Sequence, residues 1–187
     1  RRPYVIPLAP GHPPLGAVGY VVAAREILAQ LDTADYSIDG MVVASGSGHT
    51  HAGLLFGLRA MGSSIPVLGV CVRRGASAQL DRVRAHCDEL CSLLELQSPV
   101  KEADIQLTDE HLAPGYGRLN ATTKKAISLG AQYEALLLDP AYTGKAFAGA
   151  LQLARSLDTQ QALLFIHTGG TPGIFAYGST LLEEKGY

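Results

Sequence analysis

The chain has 187 residues, of which 47% are hydrophobic, and its formal charge is −2 at pH 7, a profile typical of a globular domain with a sizeable core. Scattered basic residues and a near-neutral charge exclude a nucleic-acid-binding surface, and no apolar run approaches the ~20 residues that span a bilayer. We therefore expect a cytoplasmic protein that binds neither nucleic acid nor membrane.

Strand-like apolar runs alternate with helical stretches along the chain, which is typical of a parallel sheet covered by helices. Strands are predicted at residues 4–7, 41–44, 67–72, 135–138 and 163–167. Helices are predicted at residues 15–31, 50–61, 76–96, 121–130 and 145–156. The mixed stretch 99–119 is predicted to be a loop crossing the top of the sheet. The fold class is therefore α/β, with an open, mainly parallel sheet and helices on both faces.

A glycine- and serine-rich turn follows the second predicted strand. It reads Ser45-Gly46-Ser47-Gly48-His49-Thr50 and leads into a helix. Such a turn aims backbone N–H groups at the positive end of a helix dipole, and its glycines and hydroxyls suit a phosphate. A tight, capped connection without a ligand has the same composition. The turn lacks the GK[ST] of a Walker loop and the GxGxxG of a dinucleotide fold, so any phosphate ligand is smaller.

Two further turns follow predicted strands, in LLLDPAYTGKAF (residues 136–147) and LLFIHTGGTPGIFAY (residues 163–177). Ligands of open parallel sheets lie at the carboxyl ends of the strands, so the three turns are expected to converge on one crevice. They would deliver Tyr142, Thr143, Lys145, His167 and Thr168. Ordinary turn chemistry at Asp139-Pro140 and Gly169-Gly170, with Lys145 simply solvated, is the alternative.

Two cysteines, Cys87 and Cys91, lie four residues apart beside His86 on a predicted helix, a spacing that metal ligands can have. The same helix carries one apolar stripe that includes both thiols, formed by Leu80, Val83, Cys87, Leu90, Cys91 and Leu94. Free cysteine packs as a small hydrophobe, so a core position is favoured and no metal site is predicted.

The combination of PLGAVGY, VVASGSGHTHAGLLFGL, GYG, LDPAYTGKAFAGAL and LFIHTGGTPGIFAY resembles one enzyme family along nearly the whole chain. This is the family of D-cysteine desulfhydrase and 1-aminocyclopropane-1-carboxylate deaminase, and the resemblance is to its C-terminal half. The resemblance implies a pyridoxal 5'-phosphate (PLP) enzyme with the large domain of the tryptophan-synthase-β fold type, here incomplete. It also implies a small amino-acid substrate and a homodimer.

The resemblance assigns roles to individual residues. It makes the turn Ser45–Thr50 the binding loop for the cofactor phosphate and gives Thr168 a hydrogen bond to the pyridine nitrogen. Tyr142 would stack beside the pyridine ring and face the substrate, with Tyr116 of GYG nearby. A hydroxyl at the pyridine nitrogen leaves that nitrogen largely unprotonated, which weakens the electron sink. Acid-base groups near the substrate then become more important for catalysis. Tyr142 would serve as one of them if its pKa were lowered.

Within the family, the sequence YTGK at residues 142–145 is similar to the desulfhydrase, whereas the deaminase usually has glutamate at the position of Thr143. The implied reaction is α,β-elimination from D-cysteine to pyruvate, hydrogen sulfide and ammonia. Deaminative ring opening of 1-aminocyclopropane-1-carboxylate is the alternative. A lysine-free protein that binds a phosphorylated metabolite, or an interaction protein, on the same scaffold is the alternative from another class.

The chain also departs from the family pattern. The Schiff-base lysine and the small domain lie N-terminal to the matching half, and the lysines here (Lys101, Lys124, Lys125, Lys145 and Lys185) do not have the context of that lysine. The start RRPYVIP, without methionine, is typical of a cut edge, so residues 1–187 are expected to be the C-terminal part of the PLP-binding large domain. His49 replaces a usual glycine, and Ala9-Pro10-Gly11-His12 replaces a Gly-Gly-Ser turn.

Overall fold

A computed structural model of the chain describes residues 2–5 and 11–182. The helices are α1 (Leu15–Thr33), α2 (His49–Ala60), α3 (Ala76–Leu94), α4 (Ala121–Glu134), α5 (Thr143–Ala154) and α6 (Gly178–Leu182). The strands are β1 (Gly40–Ser45), β2 (Val67–Cys71), β3 (Gln106–Thr108) and β4 (Leu163–Phe165). Short 3-10 helices occupy Glu102–Asp104 and Thr171–Tyr177.

The strands form one open, parallel sheet in the order β3-β2-β1-β4. Val42 of β1 pairs with Leu68 on one side and Phe165 on the other, and all six residues of β1 are buried. The predicted α/β class is therefore confirmed. Because the strands are parallel, all their carboxyl ends lie at one edge of the sheet, which is where ligands of such sheets bind.

Helices cover both faces of the sheet because successive side chains of β1 point to opposite sides. Met41 and Val43 belong to the core formed with α1, α2 and α3. Val42 and Ala44 belong to a second core, formed with α5. Helix α4 packs against α5 on that second face.

Helices α1 and α2 meet backbone to backbone at two glycines. A Cβ added at Gly53 would lie 2.3 Å from the carbonyl oxygen of Ala17, and one added at Gly57 would lie 2.7 Å from the Cβ of Ala24. No larger residue fits at either position without moving a helix. The position of α2, and of the glycine turn at its start, is thus set by α1.

Three of the predicted elements differ in the structure. Residues 106–108, predicted as loop, form β3 beside β2, whereas residues 135–138, predicted as a strand, form none. Ala135 adopts a left-handed φ of 53° and the amide of Leu136 donates to the Gly130 carbonyl at 3.0 Å, so the segment ends α4 before it can extend. Of the predicted first strand, Tyr4 and Val5 are not in a strand, and residues 6–7 lie outside the described residues.

Cys87 lies in the core and Cys91 packs half-buried against it, as the apolar stripe of α3 predicts. Within residues 2–5 and 11–182, histidine, cysteine and acidic side chains do not gather in any group of three or more able to hold a metal ion. In the same residues, every helix is too short or too polar to cross a bilayer.

Candidate active site

Three turns at the carboxyl edge of the sheet enclose a cleft of about 240 Å³. They are the glycine turn after β1, the turn that precedes α5 and the turn after β4. The residues that line the cleft are Tyr20, Ala44, Gly46, Ser47, Thr50, Tyr142, Thr168, Gly169 and Gly170. The structure therefore brings the three sequence-predicted turns together, with Tyr142 and Thr168 facing the glycine turn across one space.

The glycine turn presents its backbone at the start of α2. Gly48 caps the helix with a left-handed φ of 97°, and a Cβ there would lie 3.0 Å from the His86 ring. Glycine is required at this position on both grounds. Among the described residues, the amides of Ser47 and Gly48 donate no hydrogen bond, so both stay available to an anion at the helix N-terminus. Ser47 lines the cleft, whereas Gly48 is not among its lining residues.

Two side chains of this turn do not reach the cleft. The Ser45 hydroxyl is buried, accepts a hydrogen bond from Gln79 Nε2 at 2.8 Å and lies 3.3 Å from His51 Nδ1. The His49 ring packs edge-on against His86, with ring centroids 4.3 Å apart, and is absent from the cleft lining. Burial, followed by the nearby His86 and Arg82, lowers the pKa of His49. The side chains of these two residues are therefore not available to a ligand in the cleft.

The turn before α5 is organised by the buried carboxylate of Asp139. Its Oδ2 accepts from the amides of Ala141 and Tyr142, both at 2.8 Å. Its Oδ1 accepts from the Thr143 amide at 2.8 Å and the Thr143 hydroxyl at 2.7 Å. A Cβ at Gly170 would lie 2.6 Å from that Oδ1, so the turn after β4 closes directly on this carboxylate. Asp139 thereby fixes where α5 begins and where Tyr142 stands.

Tyr142 and Tyr116 form a hydrogen-bonded pair of phenols beside the cleft. Their ring centroids lie 5.7 Å apart in an edge-to-face arrangement, and the Arg73 guanidinium carbon lies 5.7 Å from the Tyr116 ring centre. The hydrogen bond with Tyr116, followed by burial, raises the pKa of Tyr142 to about 12. The acid-base role expected of Tyr142 from the sequence required a lowered pKa. The structure shows the opposite shift, because the neighbouring phenol and burial both favour the neutral form of Tyr142.

Lys145 lies beneath the pair and holds the loop that carries Tyr116. Its buried Nζ donates to the carbonyl oxygens of Leu112 at 2.7 Å and Gly115 at 2.9 Å. Burial lowers the pKa of this lysine. The Lys145 amine donates to backbone carbonyls and not into the cleft. Lys145 therefore holds the loop that carries Tyr116 against α5.

In the turn after β4, Thr168 lines the cleft and His167 does not. The His167 Nε2 lies 3.1 Å from the Leu137 carbonyl oxygen, and its Nδ1 accepts from the Gly169 amide at 3.2 Å. Sequence reasoning missed Tyr20 of α1 as a lining residue and Asp139 as the anchor. Asp139 carried a usable signal, since the side chain of an aspartate in a turn typically accepts a hydrogen bond from the backbone two residues on, as it does here from Ala141.

Comparisons with known proteins agree with this architecture. A family model for pyridoxal-phosphate dependent enzymes matches residues 1–169. The chain is 46% identical to a D-cysteine desulfhydrase of Klebsiella pneumoniae (strain 342) and 43% identical to one of Salmonella typhi, in each case over 178 residues, 94% of this chain and 53% of the relative.

A solved structure described as an ACC deaminase homologue matches with a TM-score of 0.84 at 38% identity, covering 98% of this chain and 54% of that one. This chain thus spans about half the length of the curated relatives that it matches. With its parallel sheet, its glycine turn at a helix start and a family match over most of its length, the chain belongs to the pyridoxal-phosphate-dependent enzymes.

Proposed function

We propose that the protein to which this chain belongs is a PLP-dependent lyase that converts D-cysteine to pyruvate, hydrogen sulfide and ammonia. In this proposal, residues 1–187 are the C-terminal part of its PLP-binding large domain. The observation that carries it is the convergence of the glycine turn, Tyr142 and Thr168 on one cleft. The similarity to two D-cysteine desulfhydrases at 46% and 43% identity supports the choice of substrate.

The residues of the cleft fit the two ends of PLP. At one end, the free amides of Ser47 and Gly48 and the Thr50 hydroxyl suit the phosphate, which helix N-termini bind well. At the other, Tyr142 offers an aromatic face and Thr168 a hydroxyl, which suit the ring and its nitrogen. A cleft of about 240 Å³ suits a small ligand.

When bound, PLP supplies an electron sink for negative charge at the α-carbon of the substrate. Thr168 would hold the pyridine nitrogen with a neutral hydroxyl, which leaves that nitrogen largely unprotonated and makes the sink weaker. Groups of the protein that handle protons near the substrate therefore carry more of the catalysis.

The tyrosine pair is the group that we assign to this task. Because the pKa of Tyr142 is raised to about 12, its phenol keeps its proton at neutral pH. A neutral phenol donates hydrogen bonds, so the pair would give a proton to the sulfur that leaves D-cysteine as the carbon–sulfur bond breaks. Lys145 would support this role by holding the Tyr116 loop in place.

The Schiff-base lysine is proposed to lie on a part of the protein other than residues 1–187. Lys145 is engaged with two backbone carbonyls. Lys101, Lys124 and Lys125 are not among the residues that line the cleft, and Lys185 lies outside the described residues.

The substrate is tested by offering two amino acids to the full-length protein. Sulfide and pyruvate released from D-cysteine are measured beside 2-ketobutyrate released from 1-aminocyclopropane-1-carboxylate. We expect the first reaction to be the faster. Ketobutyrate formation without sulfide release would overturn the desulfhydrase assignment in favour of the deaminase, which the 38% identical ACC deaminase homologue supports.

The phosphate loop is tested by Thr50→Ala in the full-length protein. Loss of one hydrogen bond to a charged oxygen is expected to weaken PLP binding about tenfold to hundredfold. Retention is followed by the visible absorbance of the bound cofactor during dialysis. Thr33→Ala, at the exposed end of α1, is the matched control and should retain PLP like the unaltered protein. Equal retention by both variants would contradict the loop assignment.

Absence of any cofactor absorbance in the full-length protein would favour the alternative of another class, a binding protein for a phosphorylated metabolite. The homodimer and the cytoplasmic location stay predictions from the sequence.

A further inference from the structure

The backbone carbonyls of the glycine turn are held by Arg74, which lies between β2 and α3, and by two residues of α3. Arg74 Nη1 donates to the Gly46 carbonyl at 2.6 Å, and Arg82 Nε donates to the Ser47 carbonyl at 2.6 Å. His86 Nε2 donates to the same Ser47 oxygen at 3.1 Å. The Gly46 carbonyl is therefore directed at Arg74 and the Ser47 carbonyl at α3.

These contacts fix where the neighbouring amides point. In a trans peptide the carbonyl of one residue and the N–H of the next lie in one plane and point in opposite directions. Holding the Gly46 carbonyl toward Arg74 turns the Ser47 amide away from Arg74. Holding the Ser47 carbonyl toward Arg82 and His86 turns the Gly48 amide away from α3. Neither of these amides donates to an acceptor among the described residues.

The contacts also supply charge that the cleft itself lacks. Every residue that lines the cleft is uncharged at neutral pH. The guanidinium groups of Arg74 and Arg82 lie one peptide group behind it, and a cation that donates to a carbonyl polarises the peptide so that its N–H becomes a better donor.

The network behind the turn is itself fixed. The His86 Nδ1 lies 2.9 Å from Glu89 Oε2, and the His86 side chain is fully buried. Arg74 also donates to Gln79, whose Nε2 donates to the Ser45 hydroxyl at 2.8 Å. Residues 45, 46 and 47 are thus each attached to the same scaffold.

We infer that Arg74 and Arg82, with His86, are positioning residues for the cofactor phosphate: they orient the Ser47 and Gly48 amides for an anion at the start of α2 and provide its countercharge. This inference rests on the proposed function, because it assumes that the cleft holds PLP. In this inference, side chains that do not contact the phosphate contribute to its affinity.

The test compares two probes that differ only in the phosphate. Full-length protein is freed of cofactor and titrated with PLP and, separately, with pyridoxal, which lacks the phosphoryl group. Arg82→Ala and Arg74→Ala are expected to weaken PLP binding about tenfold to hundredfold, as for a lost charged hydrogen bond, and to change pyridoxal binding less than about twofold. The ³¹P resonance of bound PLP is expected to move in both variants.

The matched control is Arg84→Ala, two residues along α3, where the arginine pairs with Asp81 and Glu102 on the surface. It should change neither affinity. Unfolding curves of the cofactor-free variants are recorded first. If Arg82→Ala does not fold, Arg82→Lys, which keeps the charge but not the guanidinium, replaces it. We expect Arg82→Lys to lose less PLP affinity than Arg74→Ala.

A parallel loss of affinity for PLP and pyridoxal would overturn the inference, since a merely structural role affects both probes. Unchanged PLP affinity in Arg74→Ala and Arg82→Ala would overturn it as well. Failure of the proposed function gives a different result, in which the unaltered protein itself does not prefer PLP over pyridoxal.

Discussion

Replacing Asp139 by alanine is expected to lower the free energy of unfolding by about 3 kcal/mol and to abolish most of the catalytic activity. The substitution leaves the amides of Ala141, Tyr142 and Thr143 without their acceptor at the start of α5. Buried donors that lose their partner carry the full cost of desolvation, and the amide of Thr143, the first residue of α5, is one of them. Tyr142 loses the anchor that sets its place at the cleft.

Urea denaturation of the full-length protein measures the stability, and sulfide release from D-cysteine measures the activity. Asp139→Asn, which keeps one oxygen acceptor, is expected to lose roughly half as much stability as the alanine variant. Asp158→Ala, in an exposed loop before β4, is the control for removing an acidic side chain. A loss below about 1 kcal/mol for Asp139→Ala would show that the carboxylate does not organise the turn.

Acidification is expected to destabilise the protein by about 3 kcal/mol between pH 6.5 and pH 4 through His51 alone. This ring lies in the first turn of α2, fully buried between Ser45 and Gly69, and burial lowers its pKa from 6.5 to about 4. Above pH 6.5 both the folded and the unfolded protein hold a neutral ring, so the stability is fully present. Below pH 6.5 the His51 ring takes up a proton in the unfolded chain but not in the folded protein. The free energy of unfolding therefore falls as the pH decreases to 4.

The measurement is the free energy of unfolding in urea at a series of pH values, for the unaltered protein and for His51→Asn. The variant should lose the larger part of the slope in this window, and the remainder includes His49, whose pKa is lowered in the same direction. Thr33→Ala, which removes no titrating group from the exposed end of α1, should leave the slope unchanged. An equal slope in His51→Asn and the unaltered protein would refute the assignment.

Strands β1, β2 and β4 and the meeting of three turns could be predicted from the sequence because they follow from periodicity and from the parallel direction of the strands. Apolar runs at β1, β2 and β4 and a helical stripe such as that of α1 depend on spacing alone. Strand β3 escaped prediction because Gln106–Thr108 is only three residues long and lies between acidic residues. Its place is determined by pairing with β2, which is a tertiary effect.

Side-chain direction within the glycine turn could not be predicted for a different reason. Whether Ser45 and His49 face the cleft depends on backbone angles around Gly48, and glycine allows both signs of φ. The Tyr142 pKa likewise depends on a partner 26 residues away, Tyr116, whose approach is set by Lys145. The arginines behind the turn carried a weak signal, in that Arg73-Arg74 directly follow a strand end.

Helices α1 and α2 are in direct backbone contact at Gly53 and Gly57 and therefore pack as one rigid unit. Because neither glycine has a side chain that could rearrange, we expect the two helices to loosen together. Amide hydrogens of the two helices should therefore exchange with solvent in a common opening event. An anion seated at the first turn of α2 would then slow exchange throughout α1, including its distant end at Thr33.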